Sequence, residues 1–253
     1  MGTRLFHISD VHFGVEDKAA LAAVERAVRE ERPDVLVCTG DLTQRATHAQ
    51  YKAAADWFGQ FDIPVWLDPG NHDMPYYNLW ERLSEPYRRY NALREDVAIP
   101  AFQSDELVLI PLKTTVRSQN RWPGSDGVVT PGALAATVSR LEQYRDDPRR
   151  RVVTAHHPLH PPRPGRPNPT IGGDNAMARL SEAGMDAVLT GHIHKPFNDR
   201  HTLGDRSAQV IGAGTLSKRL RDGVPASYNA LTYQRGDNEI AVDTRIVGRR
   251  PQV

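Results

Sequence analysis

Apolar residues along this chain alternate between two rhythms. Short runs at Leu5 to Ser9, Val35 to Cys38 and Ile63 to Leu67 predict strands. Between them, Ala20, Leu21, Val24, Ala27 and Val28 recur at helical spacing and predict a helix over Asp17 to Arg32, with a second expected from His48 to Phe61. Tyr76 to Tyr90 predicts a helix and a loop rich in aromatic and arginine residues, and Val97 to Val116 predicts strand, turn and strand, the start of a second sheet. Thr130-Pro131 reads as an N-cap with proline at the first helical position, followed by Leu134, Val138 and Leu141. Arg151 to Ala155 and Ala187 to Thr190 are further strands, with a short helix over 175–184 between them. The chain from Ala208 reads as short strands with Gly-rich turns. Strands alternating with helices imply βαβ units and a largely parallel sheet. The expectation is one α/β domain over residues 1–248, two sheets packed together with helices outside, and a short tail at 249–253.

Composition narrows this picture. A length of 253 residues is ample for a substantial core. Thirty-two basic against thirty-one acidic residues give a net charge of +1, so no global charge draws the chain to nucleic acid or a membrane. One cysteine, Cys38, excludes an intrachain disulfide and a Cys-zinc cluster and suits a reducing compartment. It lies within an apolar run, which makes it a packing residue. No apolar run approaches the ~20 residues that span a bilayer. The N-terminus enters a strand at once, so no signal peptide is expected and the cytoplasm is the expected compartment.

The chemistry gathers behind the strands. Asp10 and His12 follow the first, Asp41 the second, and Asn71, His72 and Asp73 the third. His156 and His157 end a later strand, and His192 and His194 follow another. Loops beyond the carboxyl ends of parallel strands build the active site in open α/β sheets. Each fragment alone has an ordinary explanation: a Gly-Asp pair is usually a turn, and a lone strand-end histidine is usually packing or surface. Their recurrence in order, with Gly40, Gly70 and Gly191 letting the backbone turn sharply, points instead to a metal-binding rim.

The set Asp10-Val11-His12, Gly40-Asp41, Gly70-Asn71-His72-Asp73, His156 and Gly191-His192-Ile193-His194 resembles the complete motif of the calcineurin-like metallophosphoesterase superfamily. The resemblance spans residues 10–194 and says little about substrate. It implies a four-layer α/β/β/α sandwich of two mixed sheets flanked by helices, and hydrolysis by a hydroxide bridging two divalent ions. Close cations can clamp a phosphate and lower the pKa of a shared water, and a carboxylate between them offsets their repulsion. By motif position Asp41 would be that bridge, with Asp10, His12 and His194 completing one site and Asn71, His156 and His192 the other. Oxygen and imidazole ligands without thiolate suit Mn, Fe, Zn or Co. Purple acid phosphatases carry a tyrosine three residues beyond the bridging Asp. Gln44 stands there, which argues for a divalent pair over a ferric one.

The same resemblance makes His72 the acid that protonates the leaving oxygen, with Asp73 holding its tautomer. Asp73 as a helix N-cap is the structural alternative. His157 is expected behind the ligands. His7, His48 and His201 carry no motif, and His160, in a loop with six prolines between Pro158 and Pro169, could reach substrate. The opening Phe6 to His12 and the run Asp68 to Asp73 look like the bacterial class III cyclic nucleotide phosphodiesterase group. The expected partner is thus a small phosphate ester, a cyclic nucleotide foremost. A glycerophosphodiester, another phosphodiester or a nucleotide monoester stand as alternatives, and a non-catalytic scaffold comes last because no ligand is missing. Tyr76, Tyr77, Trp80 and Arg82 either pack on a base or ribose or bury a helix face. The loops Arg117 to Trp122 and Pro158 to Pro169 are candidate pocket walls, and the proline loop is stiff enough to act as a lid. The oligomeric state stays open, a homodimer included.

Overall fold

The strand runs are continuously apolar because both faces of each strand are covered. In the first strand, β1 (Thr3–Ile8), Leu5 faces one core while Phe6 and Ile8 face another. The computed structural model describes residues 2–118, 124–161 and 168–248. After β1 come α1 (Lys18–Glu31), β2 (Val35–Cys38), α2 (His48–Phe58), β3 (Val65–Leu67), α3 (Leu79–Ser84) and α4 (Arg88–Val97). The second half holds β4 (Leu107–Pro111), β5 (Gly127–Val128), α5 (Pro131–Gln143), β6 (Arg150–Thr154), β7 (Thr170–Ile171) and α6 (Gly173–Glu182). It continues with β8 (Ala187–Thr190), β9 (Phe197–Leu203), β10 (Arg206–Gly212), β11 (Ser227–Tyr233) and β12 (Ala241–Ile246).

Two five-stranded mixed sheets result. One runs β12-β11-β1-β2-β3, with β1, β2 and β3 parallel and β11 antiparallel to both of its neighbours, β1 and β12. The other runs β4-β6-β8-β10-β9, parallel except for the edge strand β9. Leu5, Val37 and Trp66 of the first sheet meet Leu109, Val152 and Leu189 of the second in a central core. Outside, α1, α2 and α4 lay Val24, Phe58 and Leu93 against Phe6, Leu36 and Cys38. On the opposite flank α5 and α6 lay Leu141 and Leu180 against Ile110, Val153 and Val188. This is the four-layer α/β/β/α sandwich. Each large side chain fully buried this way contributes about 1.5–3 kcal/mol.

Local chemistry sets the helix starts. Asp17 accepts from the amides of Ala19 and Ala20, Thr47 and Gln50 form a reciprocal capping box, and Thr130 accepts from Ala133 with Pro131 behind it. Four expectations are corrected. The second helix ends at Phe58. The aromatic and arginine stretch divides into α3 and α4. Between Val97 and Val116 β4 is the one full strand: Pro100 offers no amide, the Ser104 hydroxyl accepts from the amides of Glu106 and Leu107 in a turn, and the expected preceding strand shrinks to one antiparallel bridge, Gln103 to Val108. The edge strand β9 and the small parallel pair β5–β7 were not foreseen, because β9 carries mostly polar residues on a half-exposed edge and the pair is only two residues long. The tail at 249–253 lies outside the described residues. Among the described residues no helix is long and apolar enough to cross a membrane.

Candidate functional site

The two sheets bring their parallel strand ends to one edge, and the loops that leave them are knitted together by main-chain bonds. Asp10 N donates to Gly40 O, His12 N to Asp41 O and Gly191 N to His156 O. His192 N donates to Asp10 Oδ2 across the sheet interface, 2.8 Å apart. Five of the eight non-glycine residues with positive φ among the described residues are Asp10, His12, Asp41, His192 and His194, at φ 50° to 67°. Left-handed backbone at ordinary residues is costly and persists where the surroundings enforce it, characteristically at functional sites. The motif glycines serve two ends. Gly40 alone takes a positive φ of 96°, whereas Gly70 and Gly191 supply room. A Cβ on Gly70 would lie 2.1 Å from Asp41 Oδ1, and one on Gly191 1.8 Å from Ser9 Oγ. The expectation that all three make sharp turns is corrected to one turn and two close approaches.

The hydrogen positions follow from the outer partners of the rings. His156 Nδ1 lies 2.7 Å from Thr39 O and His194 Nδ1 2.6 Å from Arg219 O, so each Nδ1 carries the donated proton and leaves Nε2 with a lone pair. His12 Nδ1 faces Thr43 O at 3.4 Å in the same sense. Those Nε2 atoms converge inward: His12 on His194 at 3.3 Å, His156 on Asn71 Oδ1 at 3.2 Å, and His194 on Asp10 Oδ1 at 3.0 Å. Asp10 Oδ1 is buried without any hydrogen-bond donor. Asp41 spends Oδ1 on the amide of His72, leaving Oδ2 3.6 Å from His12 Nε2 and 3.4 Å from His156 Nε2, between the two groups. Acceptors facing acceptors in a dry pocket are unfavourable unless a cation lies among them. Outward protons with inward lone pairs is also how ligating histidines are oriented. The residues therefore fit a divalent pair. Ligand atoms of Asp10, His12 and His194 lie within 4.8 Å of one another, as do those of Asp10, Asp41 and His156.

Electrostatics agree with that geometry. Burial pushes Asp10 and Asp41 upward, but His194 and His12 around the first and His156 and His12 around the second outweigh it and hold both carboxyls well below the usual range. Burial opposes charge on His156, yet Asp41 and Asp10 bring it up to about 9, so its inward Nε2 draws positive charge, taking a proton wherever no cation claims the lone pair. Burial and the neighbouring His156 take His192 down to about 3. Two buried carboxylates thus demand positive charge, which a divalent pair would supply.

His157 joins His156 and His192 in space but cannot ligate in this arrangement, since Nδ1 is held by Thr114 Oγ1 at 2.9 Å and Nε2 by Ser125 O at 3.0 Å. His72 also brings a ring nitrogen within 4.8 Å of ligand atoms of His12 and Asp41, its ring edge-on to His12 with Nδ1 2.8 Å from Gln44 O. Burial holds its pKa below the ordinary histidine value, with Asp41 opposing. Asp73 does not touch the His72 ring. Its carboxylate accepts from the amides of Gly70, Leu42 and Thr43 and from the Thr43 hydroxyl. The expected Asp73–His72 contact is therefore corrected: the Gln44 carbonyl orients the ring, and Asp73 ties the Asp41 and Asn71 loops together. Nor does it cap a following helix. Burial and Asp41 raise its pKa to about 6.

A residue absent from the motif completes the group. Arg219 Nη1 lies 3.0 Å from His72 Nε2, 3.3 Å from His12 Nε2 and 3.4 Å from Gln44 Oε1. It follows β10, which is parallel to β8, so the strand-end rule would have found it had β10 been read as parallel. At the rim, Tyr77 and Trp80 are 71% and 77% exposed, which removes the reading that they bury a helix face. Arg45 lies over the Tyr76 ring at 4.4 Å. Arg82 donates to Arg117 O, and buried Glu81 pairs with Arg88 and Arg89, fixing this segment. Arg89 also donates to Ala46 O, just beyond the Asp41 loop. Of the candidate walls, residues 119–123 and 162–167 lie outside the described residues. His7 is buried on Thr39 Oγ1, His48 opens α2, and His160 meets His201 edge-to-face and faces Asp174.

Comparison with known proteins agrees with this geometry. A probable cyclic nucleotide phosphodiesterase of a Pseudoalteromonas strain is 26% identical across 96% of this chain and 93% of its own length. Another, from a Synechococcus strain, is 33% identical over 94 residues, 34% of this chain and only 35% of the relative. Among solved structures, a dimetal phosphatase from Danio rerio superposes with a TM-score of 0.65 at 14% identity over 96% of each chain. The family model for calcineurin-like phosphoesterases matches residues 3–196, a span that holds every strand-end candidate ligand described above, and the chain belongs to that family.

Proposed function

We propose that this protein hydrolyses phosphodiesters at a dinuclear divalent-metal centre and that its substrates are cyclic nucleotides. The observation that carries the reaction is the inward convergence of Asp10 Oδ1, His12 Nε2, His194 Nε2, Asn71 Oδ1, His156 Nε2 and Asp41 Oδ2, with ring protons directed outward. Asp10, His12 and His194 would hold one ion, Asn71, His156 and His192 the other, and Asp41 both. Mn, Fe, Zn and Co all suit oxygen and imidazole donors. Such ions supply Lewis acidity toward the phosphate and a water of lowered pKa.

The chain's own residues supply the rest. His72 donates Nδ1–H to the Gln44 carbonyl, so its Nε2 is the atom that faces the reaction. The main-chain bond from His72 N to Asp41 Oδ1 fixes its distance from the bridge. Protonated at Nε2, His72 gives a proton to the departing ribose oxygen, a basic alkoxide that leaves slowly without one. The exposed rings of Tyr76, Tyr77 and Trp80 offer faces for a base, and a relative that matches nearly the whole chain is named a probable cyclic nucleotide phosphodiesterase.

The test is a panel of cyclic nucleotides, glycerophosphodiesters and bis-p-nitrophenyl phosphate, each with Mn, Fe, Zn or Co. The highest kcat/KM is expected for a cyclic nucleotide. Preference for a glycerophosphodiester would overturn the substrate and leave the reaction standing. No hydrolysis with any metal would overturn both.

A further inference from the structure

We propose that Arg219 is a phosphate-binding residue of this site, an inference that rests on the dinuclear reading above. Its backbone and its side chain do different things. The Arg219 carbonyl accepts from His194 Nδ1, and its amide donates to Ser217 Oγ. Ser217 shares a hydrogen bond with Thr215 Oγ1, which donates to Asp10 O at 2.7 Å. The loop is thereby anchored to the candidate ligands through main chain and hydroxyls, and the guanidinium is free of that duty.

The guanidinium is half-buried and faces two imidazole Nε2 atoms and one carboxamide oxygen. Among the described residues it makes no ion pair. A planar fork of five N–H groups is matched to phosphate oxygens, and all three of these contacts use Nη1 alone. When His12 Nε2 coordinates a cation, that lone pair no longer accepts, and the N–H now directed at it needs another acceptor. A non-bridging oxygen of a phosphate seated on the ions meets that need in the space between His12 and His72. Arg219 then stabilises the negative charge that grows on the phosphate during attack. Asp41 and Asp10 hold negative charge near it, and Arg221 and Arg45 add positive charge on the same side of the balance as Arg219.

The experiment uses the full chain loaded with Mn and inorganic phosphate as the probe. Metal content is read by elemental analysis and phosphate affinity by calorimetry, for the unaltered protein, Arg219→Gln and Arg219→Lys. Both variants keep the carbonyl on His194, so metal content should match the unaltered protein. Phosphate affinity should fall about 10- to 100-fold in Arg219→Gln, the range for one lost hydrogen bond to a charged group. Arg219→Lys should restore part of it, keeping charge without the fork. Turnover in Arg219→Gln should drop ~10²–10³-fold, as for loss of one transition-state donor. Full metal with unchanged phosphate affinity would overturn this assignment alone. Loss of metal in both variants would overturn it too, making Arg219 a support for His194. An unaltered protein that binds no metal pair would overturn the dinuclear reading itself.

Discussion

The floor and the rim of this site are built on opposite principles. On the floor, Asp10, His12, Asp41, His156 and His194 are at most 1% exposed, and four of these five sit in left-handed backbone. Each imidazole or carboxylate there is held from behind by main-chain atoms. At the rim, Tyr76, Tyr77, Leu79, Trp80 and Leu83 are all more than half exposed. The floor can be assembled only one way, because moving any ligand breaks a buried hydrogen bond. The rim can change its side chains without disturbing the sheets. On the proposed function the strand ends would carry the reaction type, and the segment held by Glu81, Arg88 and Arg89 would carry substrate choice.

The comparison breaks most severely at Asp41. Asp41→Ala should leave the protein with neither metal and with activity at background, measured by elemental analysis and a phosphodiester assay. A variant that keeps both ions would show that Asp41 is not shared.

His72→Ala comes next and separates binding from chemistry. Metal content should hold, since no inward lone pair of the cluster depends on the ring. Turnover should fall ~10²–10⁴-fold for a cyclic nucleotide and much less for a p-nitrophenyl ester, whose leaving group needs little protonation. Equal losses on both would make His72 a phosphate contact instead.

Breaking the strap below the rim should have a smaller effect, on stability more than on turnover. Glu81 is buried, and Arg89 together with Arg88 holds its carboxyl down to about 2 from the usual 4.5. A lowered carboxylate contributes its full stability above pH 4.5 and loses it as the pH falls toward 2. Glu81→Gln should cost about 3 kcal/mol at neutral pH, the lower end for opening a buried pair, and should flatten the acid limb of a denaturation profile. A profile as steep as that of the unaltered protein would refute the strap.

The smallest expected effect is at the rings. Tyr77→Ala and Trp80→Ala should each raise KM for a cyclic nucleotide about tenfold, the scale of one lost stacking contact. Metal content and turnover of bis-p-nitrophenyl phosphate should stay unchanged. If both substrates suffer alike, the rim supports the floor and does not select the base.

The same contrast explains what was legible in the sequence. Short apolar strands followed by Asp, Asn and His are a local pattern, so the candidate ligand positions, which the fold brings to one edge, could be read along the chain. The central core could be anticipated because strands apolar on both faces must be covered twice. Asp73 and Arg219 escape a reading along the chain because most of their partners are distant in sequence. The acceptor role of Asp73 depends on amides 30 and 31 residues away, and Arg219 meets His72 across 147 residues. The irregular path after Val97 escaped for a different reason, since one Pro100 and the Ser104 hydroxyl divert a sequence whose apolar content suits strands.

The central claim is that inward lone pairs on two groups of ligands, joined by Asp41, define a pair of metal ions. Anomalous diffraction from crystals grown with Mn tests it most directly. The account predicts two peaks roughly 3.5–4 Å apart with Asp41 between them, one reached by Asp10, His12 and His194 and the other by Asn71, His156 and His192. A single peak, or two peaks with Asp41 turned away from both, would contradict it.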